Sequence, residues 1–315
     1  MEVVAYIVFQ TLVLIFLAPI LAGFIKKVKA GLQNRKGPSI FQVYRDIYKY
    51  MKKDSVVSKH TSWIFKATPL IVWSSTLLAG LLVPTIYPLS PLASFGDMIV
   101  FIYLLAIARF FMALAALDTG SSFGGMGASR EMAVSSMVEP ALFMAVAALA
   151  LLTKTTDISS MVVSLAHNPS QIFTPGFLLL LVAFYLILIT ETGRIPVDNP
   201  DTHLELTMIH EGMLLEYSGK NLGLMLWASA IKQLILFSIM ANVFLPWGIS
   251  TDFTLLALIT NSLFFLIKMA VIGVIIAFTE ISFAKMRFFQ IPEFLTSSLV
   301  ISFLAIIMYL SIGGR

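Results

Sequence analysis

Residues Val4–Ile25 read VAYIVFQTLVLIFLAPILAGFI, a stretch without one charged side chain. A bilayer core about 30 Å thick is crossed by roughly 20 consecutive apolar residues in helical form. The run is long enough. It meets Lys26 and Lys27 where a signal peptide would need small residues for cleavage, so it is expected to remain as a first span. Seven further stretches pass the same test, at approximately 64–84, 97–117, 132–153, 173–190, 222–245, 253–279 and 293–312. They are continuously apolar and do not alternate, which predicts helices and not barrel strands. The expected fold is all-α: a polytopic membrane protein with eight transmembrane helices, forming a single membrane domain over residues 1–315.

Composition agrees with this reading. Of the 315 residues 58% are hydrophobic and only 12% charged, where soluble domains carry about 25% charged residues. There is too little polar surface to cover a water-soluble globule. Cysteine is absent, which excludes disulfides, thiolate-held zinc and cysteine-ligated iron–sulfur clusters within this chain.

Orientation follows from the basic residues. With the N-terminus outside, the cytoplasmic loops hold sixteen Lys and Arg, eleven of them from Lys26 to Lys66. The outer loops hold two, Lys154 and Arg315. The positive-inside bias predicts an N-out, C-out, multi-pass protein of the cell membrane.

Two cytoplasmic segments are long enough for structure of their own. In 26–66, Phe41, Tyr44, Tyr48 and Met51 recur at helical spacing among Arg45, Lys49, Lys52 and Lys53. An amphipathic helix at the membrane surface is expected, holding anionic lipid or docking a partner. The segment 191–221 is acidic: Glu191, Asp198, Asp201, Glu205, Glu211 and Glu216, with His203 and His210. Loops beside a membrane are usually basic on this side, so the acid density points to proton relay or a positive partner surface. Asn199-Pro200-Asp201 reads as a helix start. On that helix Asp201, Glu205 and Glu216 share one stripe, and His203 and His210 another. The plain alternative is a solvated acidic face.

Within the spans lie Glu139, Lys232, Lys268 and Arg109. A charge at bilayer depth costs at least about 2.5 kcal/mol, so such groups pair or line a water-filled path. Glu139 is expected to pair with Lys232 or Lys268 and to mark a proton or ion route. Arg109 can be read as snorkelling and Glu280 as interfacial. Arg130 and Arg194, with His203 and His210, are further candidate site residues on the cytoplasmic side. The Gly-rich stretch Asp118–Glu131 is expected as a close-packed turn. It lacks Gly-Lys-Ser/Thr and a preceding strand, so it is no phosphate loop.

No HExxH zinc motif is present, and the four histidines fall in expected loops, where they cannot ligate an intramembrane haem. No metal site and no catalytic centre are read in this chain, and nothing in it points to nucleic acid. A stand-alone secondary transporter is the less favoured alternative, because two matching broken helices are missing.

The stretch Glu191-Thr192-Gly193-Arg194-Ile195-Pro196-Val197-Asp198-Asn199-Pro200 resembles the signature of the complex I subunit 1 family, which includes the H subunit of NADH–quinone oxidoreductase. The continuation Asp201-Thr202-His203-Leu204-Glu205-Leu206-Thr207-Met208-Ile209-His210-Glu211, ending in Leu215-Glu216-Tyr217-Ser218-Gly219, looks more like the membrane subunit of membrane-bound group 4 [NiFe] hydrogenases, the formate hydrogenlyase and hydrogenase-4 type. Asp118–Glu131 is similar to that branch as well. The resemblance covers essentially the whole chain. It implies a subunit that anchors a soluble electron-transfer arm and couples it to proton or sodium translocation. It also implies partners: the hydrogenase large and small subunits, a ferredoxin-like iron–sulfur subunit and antiporter-like membrane subunits. The [NiFe] centre and iron–sulfur clusters would sit on those partners, with no cofactor in this chain. In the alternative, a quinone-site subunit of complex I, the same loop helps form the quinone cavity; the His203-containing stretch departs from that branch's pattern of Ala and Glu. The hydrogenase-type reading implies that a redox step in the arm changes the protonation of the loop carboxylates, felt by Glu139, Lys232 and Lys268, with Arg130, Arg194, His203 and His210 holding carboxylates or docking the arm.

Overall fold

The computed structural model describes residues 2–199, 207–250 and 254–312. Ten α-helices run through them: α1 (Glu2–Leu32), α2 (Gln42–Met51), α3 (Trp63–Leu81), α4 (Met98–Asp118), α5 (Ser122–Thr153), α6 (Ile158–His167), α7 (Pro175–Glu191), α8 (Gly219–Phe244), α9 (Leu255–Ser282) and α10 (Ile291–Ile312). Seven helices (α1, α3, α4, α5, α8, α9 and α10) are long and apolar enough to cross a membrane. The expected fifth stretch falls on α7, which is apolar but only 17 residues long. The protein is thus an all-α, multi-pass membrane protein.

Helix α8 is the central element. Buried positions make up 72% of its apolar window, against 22% for α10 at the periphery. It packs against α3, α1 and α2, while α10 covers α5 and α7, and α9 lies along α1. Lipid tails are as apolar as Leu, so packing density holds such helices together. Phe244 of α8 sets its ring 5.3 Å from both Phe177 and Phe184 of α7. Gly80 of α3 leaves the room that Leu14 and Ile235 fill.

Two span prolines show how the bundle satisfies backbone groups that have no water to turn to. Pro19 in α1 frees the carbonyl of Ile15, which accepts from Trp227 Nε1 of α8 at 3.2 Å. The next carbonyl, Phe16, accepts from Tyr44 Oη of α2. Pro69 in α3 frees the carbonyl of Phe65, which accepts from Tyr217 Oη at 3.0 Å while the two rings stack at 4.1 Å. Within 26–66 a short helix forms over Gln42–Met51, but Ile47 is its buried residue, while Phe41 and Tyr48 of the expected apolar stripe are exposed.

Two local expectations are corrected. The Gly-rich stretch is not a turn from Ser122 onward; it forms the opening turns of α5. Helix α5 is 32 residues long, about 48 Å at 1.5 Å per residue, and so outruns the bilayer core. Its glycines serve contact: a Cβ on Gly127 would meet the backbone of Gly212 and Met213 at 2.9–3.0 Å. The helix expected after Asn199 is also not found in the described residues 207–218, where only the 3-10 turn Glu211–Leu214 forms. The reason is Asp198. Its carboxylate accepts from the backbone N–H of Asn199, Ile209 and His210, which folds the chain back on itself.

Candidate functional site

The end of α7 builds the site. Thr192 caps the helix and Gly193 follows with φ +59°. The N–H of Gly193 donates to Thr190 O and that of Arg194 to Ile189 O, each at 3.0 Å. This is a Schellman motif, and only glycine enters its left-handed position without strain. The reversal leaves Glu191 and Arg194 both buried, pointing to neighbouring helices.

Glu191 sits between two cations. Arg109 Nη2 of α4 lies 2.6 Å from its Oε1, and Lys232 Nζ of α8 lies 2.7 Å from its Oε2. Arg109 reaches on to Glu139 of α5 at 2.9 Å, and its Nε lies 3.9 Å from Glu131. Glu131 in turn faces His210 Nδ1 across 3.9 Å. Four helices and the loop therefore share one ionic chain. Three carboxylates (Glu131, Glu139, Glu191) thus meet two basic side chains (Arg109, Lys232), with His210 at the loop end of the chain. Burial depresses the imidazole pKa, but the facing Glu131 more than offsets this, and the net shift is upward.

Arg194 anchors a second cluster. It donates from Nη1 to Glu280 of α9 at 2.9 Å and from Nη2 to Gln233 of α8 at 2.8 Å. Lys29 of α1 closes the other side of Glu280 at 2.9 Å. Lys232 and Gln233 are consecutive on α8, so the two clusters share that helix. A third contact binds the loop: Lys285 Nζ donates to Asp198 Oδ1 at 2.7 Å and to Thr207 O at 2.6 Å.

Cavities follow these groups. The largest of those beside the ionic groups has a volume of about 170 Å³ and opens among α1, α2 and α8, with Ala22, Ile47, Leu226, Arg194, Asp198 and His210 on its wall. Smaller adjoining ones share His210 and Ser229 and run inward past Glu131, Glu191 and Lys232.

The placement departs from the expected pairs. Glu139 pairs with Arg109 and with neither lysine. Lys232 pairs with Glu191 instead, and Lys268 is buried in α9 without an ion pair among the described residues. Arg109 does not snorkel: it is 7% exposed and is the branch point of the network. Glu280 is buried and paired rather than interfacial. Arg194 is buried inside the bundle, where it holds a carboxylate. Arg130 donates to Met208 O at 3.2 Å, fastening α5 to the loop. Glu211 lines the cavity of about 170 Å³ beside His210 and Glu216 is exposed. Asp201, His203 and Glu205 lie outside the described residues. Glu131, Lys29 and Lys285 belong to the network although their loop-like surroundings gave no sign of it. The one available signal was Glu131 standing eight residues, about two turns, before Glu139 on a shared helix face. Among the described residues no three His, Asp or Glu gather as a metal site.

A family profile described as NADH dehydrogenase matches residues 4–311. The chain is 36% identical to formate hydrogenlyase subunit 4 of Escherichia coli over 98% of this chain and 99% of that one. It is 36% identical to hydrogenase-4 component C of the same organism, covering 90% of this chain and 88% of that one. The H subunit of the NADH-quinone oxidoreductase of Wolbachia pipientis is 24% identical over 92% and 90%. A chain of the membrane-bound sulfane sulfur reductase, an archaeal respiratory membrane complex, shares the fold with a TM-score of 0.81 over 98% of both chains at 24% identity.

Proposed function

This chain belongs to the NADH dehydrogenase family, and from that premise we propose that it is the membrane-anchoring, energy-coupling subunit of a multisubunit membrane-bound [NiFe] hydrogenase. The observation that carries this reading is the ionic chain His210–Glu131–Arg109–Glu191–Lys232, which leads from the loop into the bundle. The two hydrogenase-type relatives, at 36% identity, favour that branch.

The mechanism is electrostatic. The soluble arm, carrying the large, small and ferredoxin-like subunits with their [NiFe] centre and iron–sulfur clusters, docks over the loop. A redox step there adds or removes a proton at His210 and changes the charge beside Glu131 by one. Arg109 answers by shifting its weight among Glu131, Glu139 and Glu191, since charges at these distances polarise one another. Glu139 keeps 40% of its side chain exposed on the bundle surface. A carboxylate so placed within a membrane calls for a neighbour, and an antiporter-like subunit moving protons or sodium fits there.

Ion uptake into inverted vesicles, measured alongside hydrogen turnover, tests this reading. In Lys232→Met and Glu191→Gln, assembly and hydrogen turnover are expected to persist while ion uptake per hydrogen falls. Unchanged uptake per hydrogen in both variants would reduce the network to a structural role.

The cavity beside His210 favours a second reading, a quinone-site subunit. Its polar groups, His210 and Gln233 among them, suit a ring carbonyl, and Ala22, Ile47 and Leu226 give it an apolar side. Quinone-dependent activity blocked by quinone-site inhibitors would favour it; hydrogen-linked activity insensitive to them supports the first.

A further inference from the structure

On the membrane face opposite the ionic network, the ends of α5, α7 and α10 enclose a cavity of about 330 Å³. Its deeper wall is apolar, with Leu152, Leu180 and Met308; its rim is polar, with Lys154, Gln171 and Tyr309. The polar groups all stand where helices end. Lys154 is the residue that caps α5, exposed and held at φ +58°. Gln171 precedes α7, and its Oε1 is buried without a hydrogen-bond partner among the described residues.

The start of α7 adds free donors. Thr174 does not cap the helix with its side chain; its hydroxyl donates back to Gln171 O at 2.7 Å. Pro175 has no N–H, so the N–H groups of Gly176 and Phe177 stand uncapped at the positive end of a 17-residue helix. The cavity thus combines a cation, oriented donors, an unpartnered acceptor and a greasy floor, graded along the membrane normal.

We propose that this cavity binds the headgroup end of an anionic phospholipid of the phosphatidylglycerol type. The phosphate meets Lys154 and the α7 N-terminus. A headgroup hydroxyl donates to Gln171 Oε1, and the start of one acyl chain lies between Leu152, Leu180 and Met308. The complementarity selects this class. Phosphatidylcholine has neither net negative charge nor a donor, and phosphatidylethanolamine has the donor without the charge. The volume lies within the range of about 300–1,000 Å³ typical of ligand sites, enough for the headgroup end while the remaining chain lies in the bilayer.

The test uses the assembled complex, delipidated in neutral detergent and titrated with short-chain phosphatidylglycerol, phosphatidylethanolamine or phosphatidylcholine, with bound lipid counted by mass spectrometry. Phosphatidylglycerol is expected to bind most tightly and to cross-link to a photoreactive group at position 309. Lys154→Asn, chosen because Asn tolerates positive φ, is expected to weaken phosphatidylglycerol binding about fivefold, as loss of one lysine near an anionic headgroup implies, and to leave phosphatidylcholine unaffected. Leu180→Phe, which fills the floor, is expected to displace the lipid with Lys154 intact. Equal binding of the three lipids, unchanged phosphatidylglycerol binding in Lys154→Asn, competition by inorganic phosphate, or cross-linking of position 309 to a partner protein would each overturn the proposal.

Discussion

Replacing Arg109 with Met removes the cation that joins three carboxylates, and its cost can be worked from the contacts. The guanidinium lies 2.6 Å from Glu191 and 2.9 Å from Glu139. Removing one partner of a buried pair costs about 3–5 kcal/mol, because the other charge stays buried and uncompensated. The Glu139 share is screened, since that side chain is 40% exposed. Glu191, whose side chain is 3% exposed, carries the larger share and keeps only Lys232. The expected cost is therefore about 3 kcal/mol, the low end of the range. Glu191→Gln should cost a similar amount, leaving Arg109 with the half-exposed Glu139 and the more distant Glu131. The double variant Arg109→Met/Glu191→Gln removes both buried charges of that pair. It should be more stable than the sum of the single losses implies, by about 1–3 kcal/mol of coupling. Thermal unfolding of the purified complex measures this. At about 2–4 °C per kcal/mol the single variant lowers Tm by on the order of 10 °C. Strictly additive losses, or a single-variant loss within about 0.5 kcal/mol as for ordinary surface sites, would refute the claim that these groups act as one network.

Three further outcomes follow from other contacts. Tyr217→Phe keeps the ring stacked on Phe65 but leaves the carbonyl freed by Pro69 without its donor; the expected loss is about 1–3 kcal/mol by chemical denaturation, and a neutral result would show that another donor reaches it. His210 has a raised pKa, so the stability it contributes is fully present below the ordinary imidazole value and is lost as pH rises through the elevated one; hydrogen exchange over residues 207–214 should quicken across that window in the parent and not in His210→Gln, and identical pH profiles would remove the imidazole from the account. Gly193→Ala forces a Cβ into φ +59° and should cost about 1–2 kcal/mol, with Gly193→Asn costing less; equal stability of all three would mean that the reversal after Glu191 is not strained by a side chain.

The amphipathic helix shows why some of the structure was legible in advance. Its spacing is local and marks a helix over Gln42–Met51, but the choice of buried face is not local: Ile47 is buried while Phe41 and Tyr48, from the expected apolar stripe, are exposed. The spans are legible for the same reason, since length and continuous apolarity are properties of the chain itself. The helix expected in the acidic segment does not extend over 207–218 because the competing influence there is not local. Asp198 gathers three N–H groups from both ends of its loop and a lysine from beyond α9, and no periodicity reports that. Pro19 and Pro69 were visible in the sequence, but the groups that take up their freed carbonyls, Trp227 and Tyr217, come from chain positions far away.

By itself the sequence determined that this protein is a bundle of membrane-crossing helices, that charges within them favour partners, and that it carries no cysteine to ligate metal. These follow from transfer free energies and side-chain chemistry, which act residue by residue. Only the tertiary structure decided which partners meet. Glu139 faces Arg109 and not a lysine, Lys232 faces Glu191, and Glu280 joins Arg194 to Lys29. The physical reason is that an ion pair needs its atoms within about 4 Å, and helices far apart in the chain reach that distance only through the rotation and depth that packing gives them.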